Sequence, residues 1–451
     1  MALGKRKREE QGLWIATTDL PKSPGHPFYQ KLNEVLAEAD FDRWIEERCQ
    51  PYYAANLGRP SIPPGVYFRM ILVGYFEGIG SQRGIAWRCS DSRSLAAFLG
   101  IPINERTPEH SSLSRVHERL PLEIHEEVFV FVLKIAEEKK LLKGKTVGVD
   151  STTLEANAAM KSIERKDTGE DWKEYLTRLA KEAGIENPTD EDLRRFDKNR
   201  TDKKVSNEEW QSPIDPDSRI AKMKDGTTHL AYKAEHVVDL DSEFVLSATI
   251  TPANQSDAES MVDSVMEARM NLEAAGSETK IEEVVADKGY HKVSTLELAD
   301  DLDFRTYVPE PKRPHKYRWT DKSAGQKKAT YANRRRVRGN RSKRLQRERS
   351  EKVERTFAHV CETGGARRTW LRGQEKVNKR YLLQVAARHL GLLLRKMFGV
   401  GTARSLQGFG GCFLLVYFTM ETLWSRIGTV GRRSEKMCHS AHLDSPRLRS
   451  V

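Results

Sequence analysis

At 451 residues the chain is too long for one ordinary hydrophobic core, and two or three domains are expected. Its 76 Lys and Arg exceed its 65 Asp and Glu by 11, a basic balance that matters only where it is concentrated. Five cysteines without a C-x-x-C pair argue against a zinc site or a disulfide framework. No signal-type apolar stretch follows Lys5-Arg6-Lys7-Arg8, and the longest apolar run, Cys412–Thr419, is far short of the roughly 20 residues that cross a bilayer, so a soluble, cytoplasmic protein with no membrane partner is expected.

Residues from about 25 to 135 read as helical. Phe28, Leu32, Val35, Leu36, Phe41 and Ile45 recur at helical spacing, in a segment ending near Cys49. Pro63-Pro64 opens a helix over 65–78, and shorter helices are predicted over 81–89, over 94–99 and from Ser111. Such a set of short helices suits a module for DNA binding or dimerisation, or a plain helical cap.

At Lys145 the period changes. Lys145–Asp150 is a short apolar strand ending in an acid. From about 158 to 225 the chain is strongly charged, with a helical patch over 172–183, and reads as an insertion. His229–Val238 and Glu243–Ile250 alternate in strand fashion around Asp239-Leu240-Asp241-Ser242, a hairpin signal. An amphipathic helix is predicted over 256–274, with Met261, Val262, Val265, Met266 and Met270 on one face. A strand over 281–286 follows, again ending in an acid, Asp287, then a helix over 294–302 and a strand over 304–308.

From Pro311 to Arg349 sixteen Lys or Arg face two acids, Asp321 and Glu348. This is where the basic excess is concentrated, and a polyanion is its natural partner. A helix over 347–360 is stopped by Gly364-Gly365, and another runs from about Lys379 to Met397, ending at Gly399. The remainder, 406–451, reads as an irregular tail.

The order after Lys145 is strand, two-stranded hairpin, helix, strand, helix, strand, helix, with Asp150 and Asp287 at strand ends and Glu354 on the late helix. Hard divalent cations such as Mg²⁺ take oxygen ligands, and a pair of them can assist both attack and departure at a phosphodiester. For the helical acid, Glu351 shares a face with Glu354 and is the alternative.

At these residues the chain resembles bacterial insertion-sequence DDE transposases. The segments GVDSTTLEANAAM (148–160), VVADKGYHK (284–292) and ERTFAHVCETGGARRTWLRG (354–373) look like that family's three catalytic blocks, and 332–359 is similar to its approach to the glutamate. The resemblance implies an α/β fold: a ribonuclease H-like mixed five-stranded sheet with flanking helices, preceded by an all-α N-terminal domain. It places the helical domain at 1–140 and the catalytic domain at 141–405, with the insertion at 158–225 and the basic segment at 311–349.

It makes Asp150, Asp287 and Glu354 the catalytic acids and metal ligands, holding two Mg²⁺ ions that Mn²⁺ can replace. Their spacings are 287 − 150 = 137 and 354 − 287 = 67. Double-stranded DNA is the implied partner, bound by a homodimer or larger assembly, with nucleoid association while bound. Arg334, Arg335, Arg336, Arg338, Arg341, Lys343, Arg344, Arg347 and Arg372 are the expected phosphate contacts, which position DNA without reading its sequence. Two positions depart from the family pattern. Many relatives carry a basic residue seven after the glutamate, where this chain has Cys361, and many an arginine one turn before it, where Ser350 stands with Arg347 and Arg349 close by.

Tyr290 and Trp370 are further candidates for DNA contact, and His359 for approaching the site; packing or surface roles are the alternatives. Two other functions compete with transposition: a ribonuclease H-like nuclease that cuts without joining, and a decayed copy that only binds DNA.

Overall fold

The computed structural model describes residues 16, 25–54, 58, 61–201, 205–223, 226–312 and 319–406. The expected tail, apart from Leu406, lies outside the described residues, as do nearly all positions before Gly25 and positions 313–318 of the basic stretch.

The first apolar run folds as two helices, α1 (Pro27–Glu38) and α2 (Phe41–Cys49), because Asp40 turns the chain through a left-handed conformation at φ 54°. Next, α3 (Pro64–Glu77) begins on a proline in its first turn and stops at Gly78, whose φ of 70° suits glycine. Ser81 and Ser92 open α4 (Gln82–Ser90) and α5 (Arg93–Phe98), each hydroxyl accepting a backbone N–H of the first turn. The helical layer closes with α6 (His110–Arg119) and α7 (Leu122–Glu138).

The sheet starts at β1 (Thr146–Glu155). This strand does not end at Asp150, because Ser151–Glu155 go on pairing with the next long strand, so Asp150 sits mid-strand. The charged insertion holds β2 (Glu164–Arg165), α8 (Trp172–Glu182), α9 (Asp190–Asn199), β3 (Trp210–Gln211) and β4 (Arg219–Lys222). Capping boxes Asp171/Glu174 and Thr189/Asp192 start the two helices, which enclose a small core of Leu176, Ala180 and Leu193. Then come β5 (Thr228–Asp239), β6 (Val245–Pro252), α10 (Asp257–Ala274), β7 (Glu283–Val285), α11 (Val293–Asp301) and β8 (Arg305–Tyr307). On α10, Met261, Val262 and Val265 are buried as expected, but Met270 is 57% exposed near the end of the helix.

Among the described residues the sheet has six strands, one more than expected. It runs β6-β5-β1-β7-β8, with β4 sharing the outer edge of β5 beside β6. β5 is antiparallel to β1 and β6, whereas β1, β7 and β8 are mutually parallel. The extra strand comes from the insertion.

The described part of the basic stretch is largely helical, and the helix expected over 347–360 begins earlier, at Asn340. The stretch forms α12 (Ala324–Val337), capped by Ser323, and the first half of α13 (Asn340–Phe357), which continues into a π-helical turn over 358–363. The chain then crosses back as α14 (Gln374–Phe398), which packs on α3 and α7 on one side and on β6 on the other. One continuous apolar core therefore runs from the helical layer into the sheet.

Candidate active site

Side chains alternate across β1, so Gly148, Asp150 and Thr152 face one side and Ser151 the other. The first side is covered by α13. A Cβ on Gly148 would lie 3.0 Å from Arg349 Cγ and Val353 Cγ2, so the glycine lets the helix approach closely. Gln346 donates to the carbonyls of Ala286 (3.0 Å) and Tyr307 (2.7 Å), anchoring α13 over the ends of β7 and β8.

Asp150 Oδ1 accepts the Ser151 N–H at 2.9 Å, and Oδ2 accepts Arg349 Nη1 at 2.7 Å. Register brings Asp287 alongside. Gly148 pairs with Val285 in the parallel β1/β7 ladder, and two residues further the chains reach Asp150 and Asp287. Asp287 Oδ1 accepts the Gly289 N–H at 2.7 Å in the turn after the strand. Burial raises the Asp150 carboxyl above its ordinary range. Arg349 and the Ser151 N–H oppose that shift, and the neighbouring Asp287 charge adds to it.

Glu354 is exposed on the flank of α13, accepting Ser350 Oγ at 3.1 Å, and makes no hydrogen bond to either aspartate. Glu351, the alternative, is engaged by Arg355 at 2.5 Å. The structure thus brings Asp150 and Asp287 together and leaves Glu354 on the helix that crosses them. Three carboxylates are the right donors for a hard cation. Yet among the described residues no three His, Cys, Asp or Glu side chains are arranged to hold a metal ion together.

Sequence reasoning missed the groups behind β1. Ser151 Oγ donates to Asp257 Oδ1 at 2.8 Å, and Lys233 Nζ donates to the same oxygen at 2.8 Å. Asp257 Oδ2 and Asp287 Oδ1 both border Gly289, lying 3.4 and 3.0 Å from where its Cβ would be. Glu235, fully buried, accepts from Ser260 (2.8 Å), Ser264 (2.5 Å) and Tyr290 (2.8 Å), and burial raises its carboxyl above the ordinary value. Tyr290 is therefore a buried anchor for the Asp287 turn, as the packing alternative has it. The available signal was Lys233 and Glu235 themselves, two charges in the middle of a strand.

On the α13 side His236, opposite Asp150 in register, stacks on Phe357 with ring centroids 4.1 Å apart. It shares hydrogen bonds with Thr356 Oγ1 (2.8 Å) and Tyr381 OH (2.9 Å), and burial drives its pKa well below the ordinary 6.5. His359 instead lines a small cavity with Tyr75, Glu243 and Arg388. Cys361 is buried in the π-helical turn, and a cation reaches β1 from another position: Arg367 Nη1 donates to Thr152 Oγ1 at 3.2 Å.

The predicted DNA contacts divide. Arg334 forks onto Glu310 with two 2.8 Å bonds, Arg336 bonds Thr306 O at 2.9 Å, and Arg341 bonds the buried Glu283 at 2.6 Å. These three hold the α12–α13 region to the sheet and its flanking loop. Arg344 lies 3.5 Å from Glu348 on the surface, and Arg372 approaches Asn157 O at 3.4 Å. Arg335, Arg338, Lys343 and Arg347 are exposed and form no ion pair among the described residues. Helical spacing sets Lys343, Arg347, Ser350 and Glu354 along one flank of α13. Trp370 is exposed, with Arg368 over its ring.

Two protein-family models match the chain. One, described as a transposase domain (DUF772), covers residues 19–119; the other, described as a transposase DDE domain, covers residues 149–390, more than half of the chain. A search of curated proteins gave no match.

Proposed function

Since the chain belongs to the DDE transposase family, we propose that it binds the ends of an insertion sequence, cuts the DNA there and joins the freed 3′-hydroxyls to target DNA. The observation that carries this reading is the adjacency of Asp150 on β1 and Asp287 just past the end of the parallel β7, with the Glu354 helix lying across them. The sheet order and strand directions support a ribonuclease H-like core. No helix among the described residues is long and apolar enough to cross a membrane.

Asp150, Asp287 and Glu354 are the residues that would hold divalent cations, two Mg²⁺ with Mn²⁺ as substitute. When bound, such ions assist the attacking oxygen and steady the leaving one. The strands fix the two aspartates, and the Tyr290–Glu235 bond holds the turn that carries Asp287. The exposed cations of α13 lead along one flank to Glu354 and suit a phosphodiester backbone approaching that residue. Glu354 is preferred to Glu351 because Arg355 already neutralises the latter. The helical domain, 1–140, serves end recognition or dimerisation, and a homodimer or larger assembly on paired ends is the working form, in the cytoplasm.

Cleavage and strand transfer on DNA bearing the element's ends, with Mg²⁺, test this reading against Asp287→Ala. Joined product from the wild type should fall by at least about 10³-fold in the variant, with end binding kept. Cutting without joining by the wild type would instead identify a nuclease, and binding with no cut in Mg²⁺ or Mn²⁺ a decayed copy.

A further inference from the structure

We propose that Arg349 is a displaceable placeholder at Asp150: its guanidinium occupies the carboxylate oxygen that a cation would take, and it must withdraw for the site to fill. The inference rests on the reading of Asp150 and Asp287 as metal ligands.

Three observations carry it. Arg349 Nη1 lies 2.7 Å from Asp150 Oδ2, leaving that carboxylate with one oxygen on the Ser151 N–H and the other on the guanidinium. The contact is single, unlike the forked pairs elsewhere in this molecule. Arg69 forks onto Asp42 through Nε (3.1 Å) and Nη2 (2.7 Å), and Arg334 forks onto Glu310. Two-pronged pairs of that kind are the stronger ones. Finally, Arg349 Nε is buried with no hydrogen-bond partner, in a side chain only 11% exposed. A guanidinium held by one bond gives up fewer bonds on leaving than a forked one, and its unsatisfied Nε can find a partner once released.

A hard cation and the guanidinium seek the same oxygen and repel each other, so each must weaken the other's hold. The carboxylate pair is thereby kept compensated while no cation is bound, and cation entry is coupled to release of the Arg349 side chain from β1.

The test is Mn²⁺ binding by the full-length protein without DNA, followed by the electron paramagnetic resonance of the free ion. Arg349→Gln should bind Mn²⁺ on the order of tenfold more tightly than wild type, as removal of a competitor requires. Arg349→Met keeps the apolar stem that packs on Gly148 and should show the same gain if the glutamine variant fails to fold. The gain should vanish in an Arg349→Gln/Asp150→Asn double variant. Unchanged or weaker binding in the Arg349 variants, with binding abolished by Asp150→Asn and Asp287→Asn, would overturn the placeholder and leave the site standing. Wild-type binding in both aspartate variants would instead overturn the site reading, and the placeholder with it.

Discussion

Behind β1, Ser151 and Lys233 converge on Asp257 through 2.8 Å bonds, and Glu235 takes three hydroxyl donors. In front of it, Asp150 has a single side-chain donor, and that donor keeps a buried nitrogen unpaired. A satisfied buried network rigidifies its surroundings, whereas a half-satisfied one is poised for exchange. The back of the strand reads as scaffold and the front as working surface, although consecutive residues supply both.

The largest effect on this contrast should come from the scaffold. Tyr290→Phe removes one of the three donors to a buried carboxylate and should lower stability by about 2 kcal/mol, measured by urea unfolding. A loss under about 0.5 kcal/mol would mean that the back is no more committed than the front.

A smaller, pH-dependent effect is expected on the front. Burial depresses His236, so the unfolded chain takes up a proton near 6.5 that the folded chain refuses. Its contribution is fully present above that value and is lost as pH falls below it, by up to about 1.4 kcal/mol per pH unit. Melting temperature followed from pH 7 downward should fall less steeply in His236→Asn than in wild type. Equal slopes would show that His236 is not the group responsible.

The smallest effects concern the cations. Lys343→Ala and Arg347→Ala should each weaken DNA binding modestly and reduce its salt slope by about one. Arg334→Ala should leave that slope unchanged and lower stability, because its fork onto Glu310 is internal. A changed slope in Arg334→Ala would erase the division between holding and binding arginines.

The element order was legible in the sequence because hydrophobic period switches cleanly from helix to strand at Lys145. Asp150 and Asp287 were legible because each follows an apolar run. What composition could not reveal was how charge is spent. Arg334, Arg336 and Arg341 look like their exposed neighbours until Glu310, Thr306 and Glu283 are seen to meet them from more than twenty residues away. Asp257 hid as an ordinary first-turn acid of a helix, since its partners Ser151 and Lys233 are far off in the chain. The extent of β1 was missed because Ser151–Thr153 look like turn residues, while pairing with β5 keeps them extended.

The passage of α14 between the helical layer and the sheet has a consequence for the gene. Its buried face is shared by α3, α7 and β6, so both halves of the protein depend on residues encoded after position 373. A frameshift or stop upstream of that point leaves apolar surface on both halves uncovered. Truncated chains should therefore be cleared or aggregate, rather than persist as stable fragments.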